Sequence, residues 1–159
     1  MLQVTLLCVG RLKEKFYTDA SAEYLKRLGA YCRAEIIELP ESKRPSNPSD
    51  AETEAAVRRE GDAILERIPK GTRTVALCVE GKEIPSEGMA EILSAAAAEG
   101  GKICFVIGGS DGLDKRVKAA AEARISMSRM TFPHHLARVM LLEQIYRGFK
   151  INEGSRYHK

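Results

Sequence analysis

Three segments of the chain place glycine or polar residues directly after predicted strands, where a ligand site is expected. They are 80–82 (Glu-Gly-Lys), 108–112 (Gly-Gly-Ser-Asp-Gly) and 127–135 (Met-Ser-Arg-Met-Thr-Phe-Pro-His-His). Glycine lets the backbone approach a ligand closely, and ligands of parallel α/β sheets bind beyond the carboxyl ends of the strands. The three segments therefore predict one small-molecule pocket formed by three neighbouring loops.

The sequence lacks motifs of common ligand sites, and their absence restricts which ligands the predicted pocket can bind. Segment 108–112 is not a Gly-x-Gly-x-x-Gly loop and is not followed by Gly-Lys-Ser/Thr. Asp111 and Asp114 would also repel a phosphate there. His134 and His135 are adjacent and have no Asp, Glu or His partner at metal-ligand spacing. We therefore expect neither a nucleotide phosphate loop nor a metal site, and we also expect no Gly-x-Ser-x-Gly nucleophile elbow of a serine hydrolase.

The elements that must position these loops alternate along the chain. Alternating strands and helices predict an α/β fold with a mostly parallel sheet and helices on both faces. A length of 159 residues suits a single domain, residues 1–159. The predicted strands are 3–9, 34–39, 74–79, 103–107 and 125–130, and the predicted helices are 17–28, 50–67, 86–98, 117–123 and 136–149.

Local signals set several of these boundaries. Ser49 and Glu52 have the spacing of a capping box, which predicts that a helix begins there. Ser86 is predicted to cap the next helix, which ends at Gly100-Gly101. Segment 41–49 contains two prolines and is predicted to be a mobile or functional loop.

The composition favours a protein with a hydrophobic core and no membrane span. No apolar run approaches the ~20 residues that cross a bilayer. Residues 1–10 are apolar but lack a basic region, which predicts a first strand rather than a signal peptide. We therefore expect a soluble cytoplasmic protein. The cysteines lack Cys-x-x-Cys spacing and are predicted to be buried free thiols: Cys8, Cys32, Cys78 and Cys104.

The charge is distributed unevenly. Residues 115–159 hold ten Lys/Arg against three Glu, whereas residues 1–114 hold fifteen Lys/Arg against nineteen Asp/Glu. A basic end on an acidic body indicates a polyanionic partner, most simply nucleic acid, with a solvated helix face as the alternative. The candidates for phosphate contacts are Lys82, Lys115, Arg116 and Lys118, which are equally compatible with a role in solubility.

Taken in order, the motifs resemble those of the SPOUT-class methyltransferases that act on the large ribosomal RNA. The resemblance covers essentially the whole chain, from Val-Gly-Arg-Leu-Lys at 9–13 to Tyr-His-Lys at 157–159. The ordered set of segments makes the resemblance specific. It consists of 105–113 (Phe-Val-Ile-Gly-Gly-Ser-Asp-Gly-Leu), 126–134 (Ser-Met-Ser-Arg-Met-Thr-Phe-Pro-His), Arg138-Val139 and Glu143–Arg147.

This resemblance implies a dimeric α/β-knot fold, in which the C-terminal segment forms a trefoil knot. It implies transfer of a methyl group from S-adenosylmethionine to N3 of pseudouridine 1915 in the 23S rRNA, in the assembled ribosome, with no metal. It also implies a homodimer whose sites are completed by both protomers. The cofactor-binding residues that it implies are Leu77, Gly108, Met127, Ser128, Arg129, Met130, Thr131 and Phe132.

Methylation of a uracil-type base needs its N3 to lose a proton, so donors or positive charge near N3 should lower the barrier. The candidates for this catalytic role are His134, Arg138, Tyr157 and His158, of which the Tyr157-His158 pair is preferred because it can reach the partner protomer's site. A frayed tail is the alternative for that pair. Two other functions stay open: a non-enzymatic ribosome-binding module and a small-molecule α/β enzyme that uses a nucleotide.

Overall fold

One five-stranded parallel sheet organises the computed structural model, which describes residues 1–158; Lys159 lies outside the described residues. The strands are β1 (Leu2–Val9), β2 (Cys32–Leu39), β3 (Arg73–Glu83), β4 (Lys102–Ile107) and β5 (Ala123–Ser126). The helices are α1 (Lys15–Leu28), α2 (Asp50–Arg67), α3 (Ser86–Ala98), α4 (Lys115–Ala120) and α5 (His134–Asn152), followed by a 3-10 turn (Arg156–His158).

The strands are ordered β2-β1-β4-β3-β5, and each described pairing between them is parallel. The central strands β1 and β4 are almost continuously apolar and buried, as expected when helices cover both faces of a parallel sheet. The predicted α/β class and parallel sheet are therefore confirmed. Trefoil threading and a homodimer stay predictions.

Alternate side chains of these strands enter two separate cores. Leu6 and Phe105 face a core made with α1, α3 and α5, to which Leu141 of α5 contributes. Leu7 and Val106 face a core made with α2 and α4. Helices thus cover both faces of the sheet, as the alternation of elements predicted.

Most predicted boundaries are confirmed to within a few residues, and the capping box is present. Ser49 Oγ accepts a hydrogen bond from the Glu52 amide at 3.1 Å, and the Glu52 carboxylate accepts one from the Ser49 amide at 3.2 Å. The prediction for Ser86 is wrong, because Pro85 occupies the N-cap position and Ser86 is the first helical residue. Its hydroxyl hydrogen-bonds instead to Gln144 of α5, at 2.7 Å.

Three boundaries near the predicted pocket differ from the prediction. Helix α4 ends at Ala120 rather than at residue 123, because the Glu122 amide bonds to the Thr74 carbonyl of β3 at 3.0 Å and starts the last strand. Strand β5 then ends at Ser126 rather than at residue 130. Strand β3 extends to Glu83, so 80–82 belongs to a strand and not to a loop.

None of the helices within residues 1–158 is both long and apolar enough to span a membrane. The four cysteines are free thiols, and Cys8, Cys32 and Cys104 are buried as predicted, whereas Cys78 is half-buried. Burial raises the pKa of Cys8 and Cys104 to about 12 and that of Cys32 to about 11, so these thiols stay protonated at neutral pH.

Candidate active site

A cavity of about 710 Å³ opens at the carboxyl ends of β3, β4 and β5. This volume falls in the range of small-molecule sites. The loops 108–112 and 127–133 form opposite parts of its wall, and the extended end of β3 forms a third part. The lining residues include Leu77, Cys78, Val79, Glu80, Ile107, Gly108, Ser110, Lys118, Ser126, Met127, Ser128, Met130, Thr131, Phe132, His134 and Ala137.

The structure brings together seven of the eight predicted cofactor residues. Leu77, Gly108, Met127, Ser128, Met130, Thr131 and Phe132 line the cavity. Arg129 does not: its side chain is 95% exposed and lies 3.5 Å from the Glu83 carboxylate. Arg129 therefore stands on the rim, where its charge faces solvent.

Segment 108–112, here called the glycine loop, folds back tightly on itself. Gly109 and Gly112 form an isolated bridge, and Gly112 has a φ of 83°, a conformation that favours glycine. A Cβ on Gly108 would lie 2.6 Å from the Gly112 carbonyl carbon, which leaves no room for a side chain. Glycine at 108 is thus required by the close approach of two backbone segments beside the cavity.

The expectation that the chain has no nucleophile-elbow motif is wrong, because the glycine loop itself has Gly-x-Ser-x-Gly spacing. The structure gives Ser110 a different role. Its hydroxyl donates to Glu41 Oε1 at 2.8 Å, and no hydrogen bond to a histidine is found for it within residues 1–158. Ser110 therefore connects two loops and lacks the base that would activate a nucleophile.

The glycine loop is anchored from outside by residues of the 41–49 loop and of α2. Arg44 Nε lies 2.7 Å from Asp111 Oδ2, and Arg44 Nη1 lies 3.1 Å from Glu60 Oε2. The Glu60 side chain is 3% exposed and also accepts a hydrogen bond from the Ser42 amide at 2.8 Å. The two arginine contacts fix the position of Asp111 relative to α2.

Sequence reasoning missed Glu41, Arg44 and Glu60. The two prolines of segment 41–49 indicated an unusual loop, but nothing local indicated its partner. The pKa of Glu41 is lowered, because hydrogen bonds from Ser110 outweigh the opposing effect of burial. Glu41 is therefore an anion at neutral pH beside the glycine loop.

Segment 127–133, here called the methionine loop, is held by short-range contacts. The Ser126 hydroxyl donates to the Ser128 carbonyl at 2.9 Å, and the Ser128 hydroxyl accepts from the Met130 amide at 3.0 Å. These bonds replace the strand pairing that was predicted up to residue 130. Met130 is 70% exposed, so part of the apolar wall faces solvent.

The end of β3 supplies the wall that was predicted as a loop at 80–82. The pairing of β3 with β5 shifts between Leu77 and Lys82, so Val79 and Glu80 bulge out of the ladder and reach the cavity. Gly81 makes this possible, since a Cβ there would lie 2.6 Å from the Ile125 backbone.

The four phosphate-contact candidates differ in their surroundings. Lys118 forms an ion pair with Glu80 at the edge of the cavity. Arg116 lies 2.8 Å from Asp62 and also pairs with Asp114. The two remaining candidates, Lys82 and Lys115, are exposed.

His134 is the one predicted catalytic residue that lines the cavity. It begins α5, and its ring contacts that of His135 at a centroid distance of 4.2 Å. Burial lowers the pKa of His134, the nearby His135 and Arg138 lower it further, and Glu41 partly opposes them. The ring is therefore neutral at physiological pH and can accept a proton at the cavity.

Arg138 lies one helical turn further along and is 1% exposed. Its guanidinium donates to Glu38 Oε2 at 2.5 Å and to the Gly10 carbonyl at 3.0 Å. Arg138 does not line the cavity; it ties the ends of β1 and β2 to α5.

Tyr157 and His158 lie against the other end of α5, away from this cavity. The Tyr157 ring packs against Tyr146 at 5.0 Å and under the Arg147 guanidinium at 4.8 Å. His158 Nε2 lies 2.9 Å from Glu87 of α3. Arg147 pairs with Glu143, one helical turn earlier, at 2.7 Å.

A second cavity of about 520 Å³ lies between α5 and the start of α3. It is mostly apolar and shares Leu77 and Met127 with the first. Its lining includes Tyr24, Ile84, Pro85, Met89, Val139 and Met140. Within residues 1–158, no group of three or more His, Cys, Asp or Glu side chains is arranged to hold a metal ion.

A parallel α/β sheet with a tight glycine loop and a carboxyl-end cavity fits the class that the sequence motifs indicated. The profile of the family described as predicted SPOUT methyltransferase matches residues 2–158, and the chain belongs to this family. Two relatives carry the name ribosomal RNA large subunit methyltransferase H. The protein from Pelotomaculum thermopropionicum is 49% identical over 159 residues, covering 99% of each chain. The protein from Bacillus cytotoxicus is 47% identical, covering 99% of this chain and all of the relative.

Proposed function

We propose that this protein transfers the methyl group of S-adenosylmethionine to N3 of pseudouridine 1915 in 23S rRNA. The observation that carries the proposal is the full-length similarity to two proteins named as large-subunit rRNA methyltransferases. The proposal includes a single domain over residues 1–159, a cytoplasmic location, the ribosome as substrate and a homodimer with shared sites. The apolar second cavity along α5 supports the homodimer, because an apolar groove favours a covered interface.

The residues of the first cavity fit S-adenosylmethionine. Leu77, Met127 and Phe132 provide apolar surface for an adenine ring and a methionine chain. The backbone of Gly108 approaches the cavity without a side chain, and backbone groups of the methionine loop can bind the polar edge of the adenine. When bound, this cofactor supplies a methyl group on a sulfonium, a leaving group that needs no metal.

The chain's own residues then have to orient the base and accept or stabilise charge at N3. When bound, S-adenosylmethionine would supply the methyl group to N3 and keep the electron pair of the broken carbon–sulfur bond, so the N3 proton would have to pass to a residue of this chain. We infer that the neutral His134 ring, which lines the cavity, accepts that proton within one protomer. Tyr157 and His158 are proposed to supply donors to the partner protomer's site, with Arg138 positioning the backbone of Gly10.

Cofactor binding is tested by titrating the purified protein with S-adenosylmethionine in a calorimeter. We expect saturable binding of about one S-adenosylmethionine per protomer. Phe132→Ala should bind it roughly tenfold more weakly, because the variant loses the contact of the Phe132 ring with the cofactor. Leu65→Ala is the matched control, since Leu65 lies on α2 outside both cavities. Equal affinities of Phe132→Ala and Leu65→Ala would contradict the cofactor site.

The reaction is tested with ribosomes that lack the modification and S-adenosylmethionine labelled in the methyl group. Label recovered as a methylated pseudouridine of 23S rRNA is the expected result. Ribosome binding without cofactor binding would instead identify a non-enzymatic ribosome-binding module. Label transfer to another nucleotide would contradict the proposed target and leave the reaction class intact.

A further inference from the structure

Phe16 is an aromatic residue that the core does not use. It lies in the first turn of α1 and is 65% exposed, the only exposed aromatic among the large apolar side chains of residues 1–158. Its ring contacts that of Tyr17 at a centroid distance of 4.4 Å. A single exposed apolar side chain is common on protein surfaces, so the surroundings of Phe16 decide what it can do.

Those surroundings form a continuous line of rings that ends at the first cavity. The Tyr17 ring lies 6.1 Å from that of His135, edge to face, and His135 lies 4.2 Å from His134, which lines the cavity. We call Phe16, Tyr17, His135 and His134 the aromatic ridge. One end of the ridge is therefore open to solvent and the other reaches the site where the reaction is proposed.

The backbone beside the ridge is held in place and carries cations. The Leu12 amide donates to Glu38 at 3.0 Å, which fixes the segment between β1 and α1. Arg11 and Lys13 are exposed, and no ion pair is found for either within residues 1–158. Lys15 is paired with Asp19 at 2.6 Å.

Two carboxylates oppose an anion at this surface. Glu14 Oε2 lies 3.9 Å from His135 Nδ1, and Glu38, which accepts from the Leu12 amide, has its pKa lowered despite burial, in part by the charge of Arg11. The first turn of α1 contains no acidic residue, and a helix N-terminus favours negative charge. Arg11 and Lys13 thus lie close in sequence to one exposed aromatic ring, and cations with an aromatic ring are the combination that binds single-stranded nucleic acid.

We propose that the aromatic ridge binds an unpaired nucleotide of the rRNA next to the target base. Its base stacks on Phe16, and its phosphate is bound by Arg11 and Lys13. This inference rests on the proposed function, because it names how that same RNA substrate is held beside the cavity. Stacking suits the role, since every base has a flat face and an aromatic ring provides affinity without fixing the sequence.

The test is the affinity of the full-length protein for purified ribosomes that lack the modification, measured by co-sedimentation. Phe16→Ala is expected to weaken binding roughly 5- to 100-fold, the loss typical of one stacked base. Phe16→Trp should bind within about twofold of wild type because it restores the ring. Leu65→Ala is the control for loss of an exposed apolar side chain outside the ridge and should bind as wild type does.

Salt dependence separates the charged part of the proposal from the aromatic part. The double variant Arg11→Gln/Lys13→Gln should reduce the slope of log affinity against log salt by roughly one to two. Each phosphate contact that is lost lowers the number of counterions released on binding, and that number sets the slope. Phe16→Ala should leave the slope unchanged. An unchanged slope in the double variant would overturn the phosphate contacts.

Failure of this inference is distinguishable from failure of the proposed function. If the wild-type protein binds ribosomes and Phe16→Ala binds them equally tightly, the aromatic ridge alone is overturned. Wild-type protein that binds S-adenosylmethionine but no ribosome overturns both the ridge and the proposed substrate. The cofactor affinity of Phe16→Ala, titrated in parallel, shows whether any loss comes from the cavity instead.

Discussion

The glycine loop and the methionine loop face the same cavity but are held in opposite ways. The glycine loop is fixed from outside by Glu41, by Arg44 and, through Arg44, by the buried Glu60. The methionine loop is held by two hydrogen bonds among its own residues and Ser126. It also leaves Met130 largely exposed, whereas Gly108 on the opposite side is buried.

This difference indicates that the two walls of the cavity have different roles in ligand binding. Long-range ion pairs and a backbone contact too close for a side chain make the glycine loop a preformed surface. A loop with few buried contacts opens at low free energy, so we expect the methionine loop to be the wall that adapts to a bound ligand. Changes to the anchors should therefore cost stability, whereas changes in the methionine loop should mainly affect binding.

The largest expected effect comes from Glu60→Ala. Removing this carboxylate leaves the Arg44 guanidinium largely buried with only Asp111 as an ionic partner. We expect a loss of about 3 kcal/mol in the free energy of unfolding, because removing Glu60 from the buried ion pair leaves the charge of Arg44 only partly compensated. Chemical denaturation measures the loss, and calorimetry should show weaker binding of S-adenosylmethionine as the glycine loop loses its anchor.

Glu54→Ala is the matched control, since Glu54 is exposed on the same helix. It should change the free energy of unfolding by less than about 0.5 kcal/mol. Equal stabilities of the two variants would show that the ion pairs do not hold the glycine loop.

A smaller effect is expected for Ser128→Ala in the methionine loop. The variant removes the acceptor for the Met130 amide, an exposed bond, so the free energy of unfolding should fall by only about 0.5–1 kcal/mol. The affinity for S-adenosylmethionine should fall more than stability does, because the loop must be reordered on binding. If Ser128→Ala lowers the free energy of unfolding but leaves the affinity for S-adenosylmethionine unchanged, the methionine loop contributes to stability and not to binding, which would contradict the difference inferred between the two walls.

The smallest effect concerns His134, which lies between the two walls. Its folded-state pKa is lowered, mainly by burial, so the unfolded chain takes up the proton first as the pH falls below about 6.5. Stability is therefore lost progressively as the pH falls from about 6.5 through the lower folded pKa, and the loss remains at lower pH. Comparing pH 7.5 with pH 5.5, wild type should lose slightly more stability than His134→Gln. A larger loss in His134→Gln would contradict a buried neutral ring.

Predictions that depended on local patterns were confirmed where the pattern was strong. The capping box of α2 and the apolar runs of β1 and β4 involve residues close in sequence, so their structure follows from periodicity and hydrogen-bonding geometry. The end of β5 was mispredicted because residues 125–128 alternate apolar and polar side chains as a strand does, yet the Ser126 and Ser128 bonds turn the chain there. The alternating pattern gave way to side-chain hydrogen bonds within the loop.

The sequence by itself determined the alternation of strands and helices and the location of the glycine and methionine loops, and its resemblance to a known family pointed to seven residues of the cavity wall. Only the tertiary structure decided that Arg44 joins Glu60 to Asp111, that Arg138 is buried beneath Gly10 and that Tyr157 packs back onto α5. Each of these contacts requires a particular packing of elements. A charged or aromatic side chain has many possible partners along a chain, and the packed core selects one of them.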